Sequence, residues 1–204
     1  MESCDLEDLS EQEIKMMNKS IYDSGKRLLR LVSNFTFYTR LLESTISQDF
    51  SGYEKTENIE SLIHSETKVL ADFYKRHQDI NLVIKASDPD LPKEHFVKTV
   101  HELTDNAFKF SEPGSPVDLE AIEENDMFCL CVVNRGNRLD ASYLDQIKPF
   151  TQFDRKTYEQ QGAGLGLAIV KKVAELNGGG LIIENPNGNT NRIKVRLPLR
   201  SDGN

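Results

Sequence analysis

The sequence predicts a mixed α/β fold, a two-layer α/β sandwich preceded by one long helix, and three observations carry that expectation. Apolar residues recur in steps of three and four between Ile14 and Leu42. Further along, segments with helical period alternate with short segments of strand period. Two pairs of these strands adjoin each other across short polar connections, which makes much of the sheet antiparallel with its helices on one face.

The N-terminal series runs Ile14, Met17, Ile21, Leu28, Leu31, Phe35, Tyr38, Leu42, interrupted only at Ser24. Its spacing is that of a helix whose narrow seam packs along another helix. Ser10 followed by Glu13 makes a capping box, so the helix is placed at 10–45. A narrow apolar seam of that length needs a partner: a second helix, a second copy of the chain, or the following domain laid back on it. The dimeric bundle is the favoured reading. After the polar stretch Ser47–Gly52 the pattern changes, which divides the chain into 1–46 and 47–204. In the second part, helices are expected at 56–77, 93–110 and 162–177. Strands are expected at 80–85, 116–123, 127–134, 180–184 and 191–197, with turns at Asp88-Pro89, Glu112-Pro113-Gly114 and Asn185-Pro186-Asn187-Gly188.

Bulk properties narrow the function classes. The chain has 204 residues and a net charge of −8, with no basic tract, which argues against nucleic acid or an anionic membrane surface as partner. No apolar run is long enough to span a membrane, and the acidic start lacks the apolar core of a signal peptide, so a cytoplasmic location is expected. Three cysteines, Cys4, Cys129 and Cys131, lack the spacing of a metal site and are read as reduced thiols.

The chemistry lies in two segments. Glu102-Leu103-Thr104-Asp105-Asn106-Ala107-Phe108-Lys109-Phe110 falls on a helix, where Glu102, Asn106 and Lys109 share a face and Leu103, Ala107 and Phe110 turn toward the sheet. An amide oxygen suits Mg²⁺, an ammonium suits phosphate, and a carboxylate accepts a proton; a plain solvated face is the alternative. Downstream, Gly162-Ala163-Gly164-Leu165-Gly166-Leu167 opens a second helix, and backbone N–H groups at a glycine-rich helix start can cradle a polyphosphate, although such turns also serve packing. The polar stretch from Lys148 to Gln161 has no regular period and reads as a lid, with Phe150 and Phe153 at its base and Arg155 or Lys156 reaching inward.

Together these segments resemble the ATP-binding domain of sensor histidine kinases, within the gyrase, chaperone, histidine kinase and MutL superfamily. Glu102–Phe110 resembles the N box, Val133-Asn134-Arg135-Gly136 the first glycine box, Pro149–Phe153 the F box and Gly162–Leu167 the second glycine box. Gly188-Asn189-Thr190 is similar to the loop before the last strand. The resemblance spans residues 95–199 and implies a Bergerat-type ATP-binding fold. Ile21–Leu42 is similar to the second helix of the dimerisation and histidine-phosphotransfer hairpin, implying a homodimer through this helix and a phosphoacceptor histidine helix outside the chain. His64-Ser65-Glu66 imitates the acceptor motif only faintly, His101 belongs to the N box, and His77 and His95 are expected at the surface.

The resemblance implies roles residue by residue. Glu102 stands where the superfamily places its general base. Asn106 would hold Mg²⁺, Lys109 would contact phosphate, and Gly162, Gly164, Leu165 and Gly166 would hold the polyphosphate of ATP. Phe110, Asn134, Gly136, Arg155 and Thr190 complete the expected nucleotide site. A response regulator would receive the phosphoryl group. The first glycine box departs from Asp-x-Gly-x-Gly: Asn134 replaces the adenine-binding aspartate and Arg138 replaces the second glycine. That departure keeps a rival open, a non-catalytic or weakly binding regulatory module; an ATP hydrolase of the gyrase or chaperone branch is the third reading.

Overall fold

The structure, a computed structural model, describes residues 10–47, 52–136, 138–139 and 165–199. Its elements in chain order are α1 (Glu11–Ser47), α2 (Ile59–Tyr74), β1 (Ile80–Ile84), α3 (Lys93–Lys109), β2 (Val117–Glu124), β3 (Met127–Arg135), α4 (Gly166–Leu176), β4 (Gly180–Glu184) and β5 (Thr190–Pro198). The strands form one sheet in the order β1-β2-β3-β5-β4. Only β1 and β2 run parallel; the other pairings are antiparallel.

Local chemistry explains the boundaries. Ser10 and Glu13 close the expected capping box, with Ser10 N donating to Glu13 Oε2 at 2.8 Å and Glu13 N to Ser10 Oγ at 3.3 Å. The Asp88 carboxylate accepts from the backbone N–H groups of Asn58 and Ile59, both at 3.0 Å, satisfying orphan donors at the start of α2. Between β2 and β3 the turn is Asn125-Asp126, both in the left-handed region. That is a two-residue hairpin turn, one residue shorter than the sequence suggested, and these residue types tolerate it best after glycine.

The core lies between the helices and one face of the sheet. Phe96, Val100, Leu103, Ala107 and Phe108 of α3 and Ile169, Val170 and Val173 of α4 bury themselves against Leu119, Phe128, Leu130, Val132, Val195 and Leu197. Phe96 and Phe128 meet edge to face at 5.8 Å. Cys129 and Cys131 point to the other face of the sheet and are free, and burial pushes the Cys131 thiol up to about 11, so both are inert at neutral pH.

The long helix lies back on this domain along a face one residue out of step with the predicted seam. Asn34, Phe37 and Leu41 are buried against it, with Leu31 and Tyr38 half-buried beside them. Ile14, Met17, Ile21, Leu28, Phe35 and Leu42 remain exposed. The helix therefore has two apolar stripes over its C-terminal half, one engaged by the domain and one open.

Two expectations need correction. His95 is 3% exposed, not a surface residue. Phe37 and Tyr53 pack on its ring, and Asn177 Nδ2 lies 3.3 Å from its Nδ1. Phe110 does not turn into the sheet: as the C-cap of α3 it leaves the helical rotation that buries Leu103 and Ala107, and stays 37% exposed.

Candidate functional site

Three elements converge at one end of the sheet. The α3 helix brings Glu102, Asn106 and Lys109; α4 starts at Gly166; and β3 ends in Asn134, Arg135 and Gly136. Their closeness shows at the two glycines. A Cβ on Gly166 would stand 2.5 Å from Glu102 Oε2 and 3.4 Å from Asn106 Nδ2. A Cβ on Gly136 would overlap the Phe110 carbonyl at the end of α3. Backbone approach at both seams thus needs glycine, which lets α3 close on the start of α4 and on the end of β3.

Glu102 is 1% exposed. Burial pushes its pKa up, but Lys98 and Arg30 outweigh that, and the carboxyl ends below its ordinary range. Lys98 Nζ lies 2.8 Å from Oε1, Asn34 Nδ2 donates to Oε1 at 3.1 Å, and Arg30 approaches Oε2 at 3.5 Å. Oε2 itself has no hydrogen-bond partner. Two of these three contacts come from α1. Arg30 also pairs with Asp105, whose other oxygen accepts from Tyr74 Oη at 2.9 Å. Asn34, Arg30 and Asp105 were not singled out in the sequence; Asn34 and Arg30 stand off the predicted seam, and only the α1–α3 packing gives them a role.

Asn106 and Lys109 are half-buried, and Asn106 faces the start of α4 at Gly166. Burial lowers the Lys109 pKa, with Asp105 and Glu102 opposing it. Its ammonium sits 5.4 Å from the centre of the Phe110 ring. Leu165, the residue before α4, is buried; its carbonyl accepts from Ile169 N at 2.8 Å, and it offers no side-chain cap to the N–H groups ahead of Ile169.

Asn134 is 5% exposed and faces the helices with Leu130 and Val132, and its Nδ2 has no partner. Strand register pairs Asn134 with Asn191 and Arg135 with Thr190. Alternation then places the Thr190 side chain on the face away from Asn134, and Asn191 occupies the position expected of Thr190. Asn191 Oδ1 accepts from Leu139 N at 2.8 Å and Asn185 Nδ2 at 3.0 Å. Counting strand residues in steps of two back from Leu197 would have found Asn191. Arg138 lies exposed. Arg155, Gly162, Gly164 and the segment Lys148–Gln161 read as a lid lie outside the described residues.

Arg76, just beyond α2, was also missed. Buried, it donates to the carbonyls of Phe108, Ser111, Glu112 and Ser115 at 2.8–2.9 Å and pairs with Asp79 at 2.5 Å. It pins the end of α3 that carries Lys109 and Phe110. Among the described residues no helix is long and apolar enough to cross a membrane.

Comparison with known proteins bears on the family and the fold. A sensor-like histidine kinase of Rhizobium meliloti is 34% identical over 110 residues, covering 53% of this chain and 21% of its own length. The sensor protein KdpD of Clostridium acetobutylicum is 24% identical over 200 residues, 93% of this chain and 21% of KdpD. SrrB of Staphylococcus aureus is 23% identical over 195 residues, 91% of this chain and 32% of SrrB. The chain thus spans about a fifth to a third of these relatives. Among solved structures, full-length ShkA in complex with AMPPNP superposes with a TM-score of 0.71 at 20% identity, covering 96% of this chain and 41% of ShkA. The histidine kinase AdeS of Acinetobacter baumannii gives 0.69 at 18% identity, covering 91% and 85%. Both share the fold. The profile of the histidine kinase-, DNA gyrase B- and HSP90-like ATPases matches residues 92–201, from the start of α3 through β5, and the chain belongs to that family.

Proposed function

We propose that this chain is the catalytic region of a two-component sensor histidine kinase, which binds Mg-ATP and transfers its γ-phosphoryl group to a histidine on a segment outside residues 1–204. The observation that carries the reading is the contact of Gly166 with Glu102 and Asn106, because it joins a polar helix face to a helix start. The residues suit the ligand. Unpartnered buried atoms at Glu102 Oε2 and Asn134 Nδ2 flank the same region, and neither glycine seam leaves room for a side chain. The first turn of α4 offers backbone N–H groups to phosphate, Lys109 offers charge, and Asn106 would hold Mg²⁺, which would neutralise phosphate charge. In the transfer, an imidazole nitrogen bonds to γ-phosphorus as the bond to the ADP oxygen breaks, and the imidazole proton passes to a carboxylate, assigned to Glu102. For Glu102 to take that part, Arg30 and Asn34 must first withdraw. A homodimer through the exposed stripe of α1, a cytoplasmic location and a response regulator as acceptor belong to the same proposal.

The test is a thermal shift with ATP that requires magnesium and disappears in Asn106→Ala. Acid-labile phosphate on an added histidine-bearing helix then establishes transfer. A specific observation favours a second reading, a regulatory module without catalysis: Glu102 is enclosed by Arg30, Lys98 and Asn34. No thermal shift at millimolar nucleotide would select it.

A further inference from the structure

We propose that Asn134 reads the six-position of a purine with its amide nitrogen, so that this site accepts 6-oxopurine nucleotides as well as ATP. The inference rests on the nucleotide site proposed above and concerns the base that the site takes. Asn134 stands at the end of β3, where Gly136 closes on the Phe110 carbonyl, and a Cβ on Gly136 would lie 3.4 Å from Asn134 Nδ2. Its side chain is buried and its Nδ2 is without a partner. The neighbouring acceptor is already engaged: Asn191 Oδ1, across the strand pair, takes bonds from both Leu139 and Asn185. A buried donor without a partner is costly, and a native fold keeps one where something outside the chain completes it.

What completes it is an acceptor. A carboxylate at this position accepts only, so it favours the amino group of adenine and repels a carbonyl oxygen at the same place. An amide carries a donor and an acceptor side by side. Adenine offers an amino donor beside the N1 acceptor, whereas hypoxanthine offers the O6 acceptor beside the N1–H donor. A half-turn of the amide matches either edge, turning its oxygen to an amino group or its nitrogen to O6. The replacement of aspartate by asparagine therefore removes the basis for rejecting a 6-oxopurine rather than merely weakening adenine binding. Sites built to bond a polar group reject an analogue lacking it because buried partners stay unpaired, and here neither base leaves one unpaired.

Inosine triphosphate is the cleanest probe, since it differs from ATP only at the six-position and the N1 proton. Titration calorimetry of the whole chain with ATP and ITP, both with magnesium, should give dissociation constants within about 5-fold of each other, and Asn134→Asp should favour ATP by about 20-fold or more. A preference of the unmodified chain for ATP by about 20-fold or more overturns the inference and leaves the nucleotide site standing, and so does an unchanged ratio in a folded Asn134→Asp. If neither nucleotide binds at millimolar concentration, the nucleotide site itself fails and this inference with it. Should Asn134→Asp not fold, the ratio measured on the unmodified chain decides alone.

Discussion

Asn34 of the long helix donates through Nδ2 to Oε1 of Glu102 at 3.1 Å, while its own Oδ1 accepts from Lys98 Nζ at 2.6 Å. One amide thus bridges a buried carboxylate and its nearest cation. The polar link between α1 and the site helix is therefore a closed triangle that Arg30 flanks, and motion of α1 changes the field at Glu102 directly.

Removing a cation from this triangle should be expensive. Lys98→Met leaves an anion buried with one cation fewer, and a loss of about 2–4 kcal/mol in urea denaturation is expected. Adding Glu102→Gln to Lys98→Met should restore much of it, because the uncompensated charge goes. The sign of the pH dependence follows. Glu102 has its folded pKa lowered, so its contribution is complete above the ordinary value of 4.5 and is lost as pH falls through the folded value. Lys98→Met should flatten that acid loss.

His95 should make the fold acid-sensitive in a higher window. Burial lowers its pKa from 6.5 to about 4, with Glu94 opposing and Arg40 adding to the shift. Below 6.5 the unfolded chain takes a proton that the folded one refuses, so stability is full above 6.5 and falls down to about pH 4. The loss from this group should be about 3 kcal/mol or slightly more. Subtracting the pH profile of His95→Leu from that of the unmodified chain isolates the one-proton slope; identical profiles would refute it.

Arg76 offers a test of how the end of α3 is held. Its guanidinium satisfies four carbonyls from two segments and stacks over Phe108, with its centre 5.1 Å from the ring. Lysine cannot reproduce that fork, so Arg76→Lys should lose about 2–4 kcal/mol and raise hydrogen exchange at residues 108–115. A change under about 0.5 kcal/mol would mean that water replaces the lost donors.

Periodicity explains what was legible beforehand. Leu103 and Ala107, or Phe128, Leu130 and Val132, repeat at the helix and strand periods because the core needs them there, so their elements fell within a few residues of the expected bounds. Asn106 and Gly166 were legible through their residue types. Hidden were properties that arise only when distant segments meet. His95 looks exposed until Phe37 and Tyr53 cover it, Arg76 looks like a surface cation until Phe108 and Ser111 turn their carbonyls to it, and the pairing of Asn191 with Asn134 is not written locally.

The same substitution should act oppositely at two helical glycines. Gly25, inside exposed α1, has nothing within 4 Å of an added Cβ, so Gly25→Ala should stabilise by about 0.5–1 kcal/mol through lost backbone freedom in the unfolded chain. Gly166, at the first turn of α4, would gain the same helical preference, but its methyl meets Glu102 Oε2 at 2.5 Å and Asn106 Nδ2 at 3.4 Å. Glu102 cannot retreat, since Lys98 and Asn34 hold its other oxygen. Gly166→Ala should therefore destabilise by about 1–3 kcal/mol and abolish the magnesium-dependent ATP shift. If it is as benign as Gly25→Ala in denaturation and leaves the shift intact, the close seam between α3 and α4 does not exist in solution, and the site built on it loses its foundation.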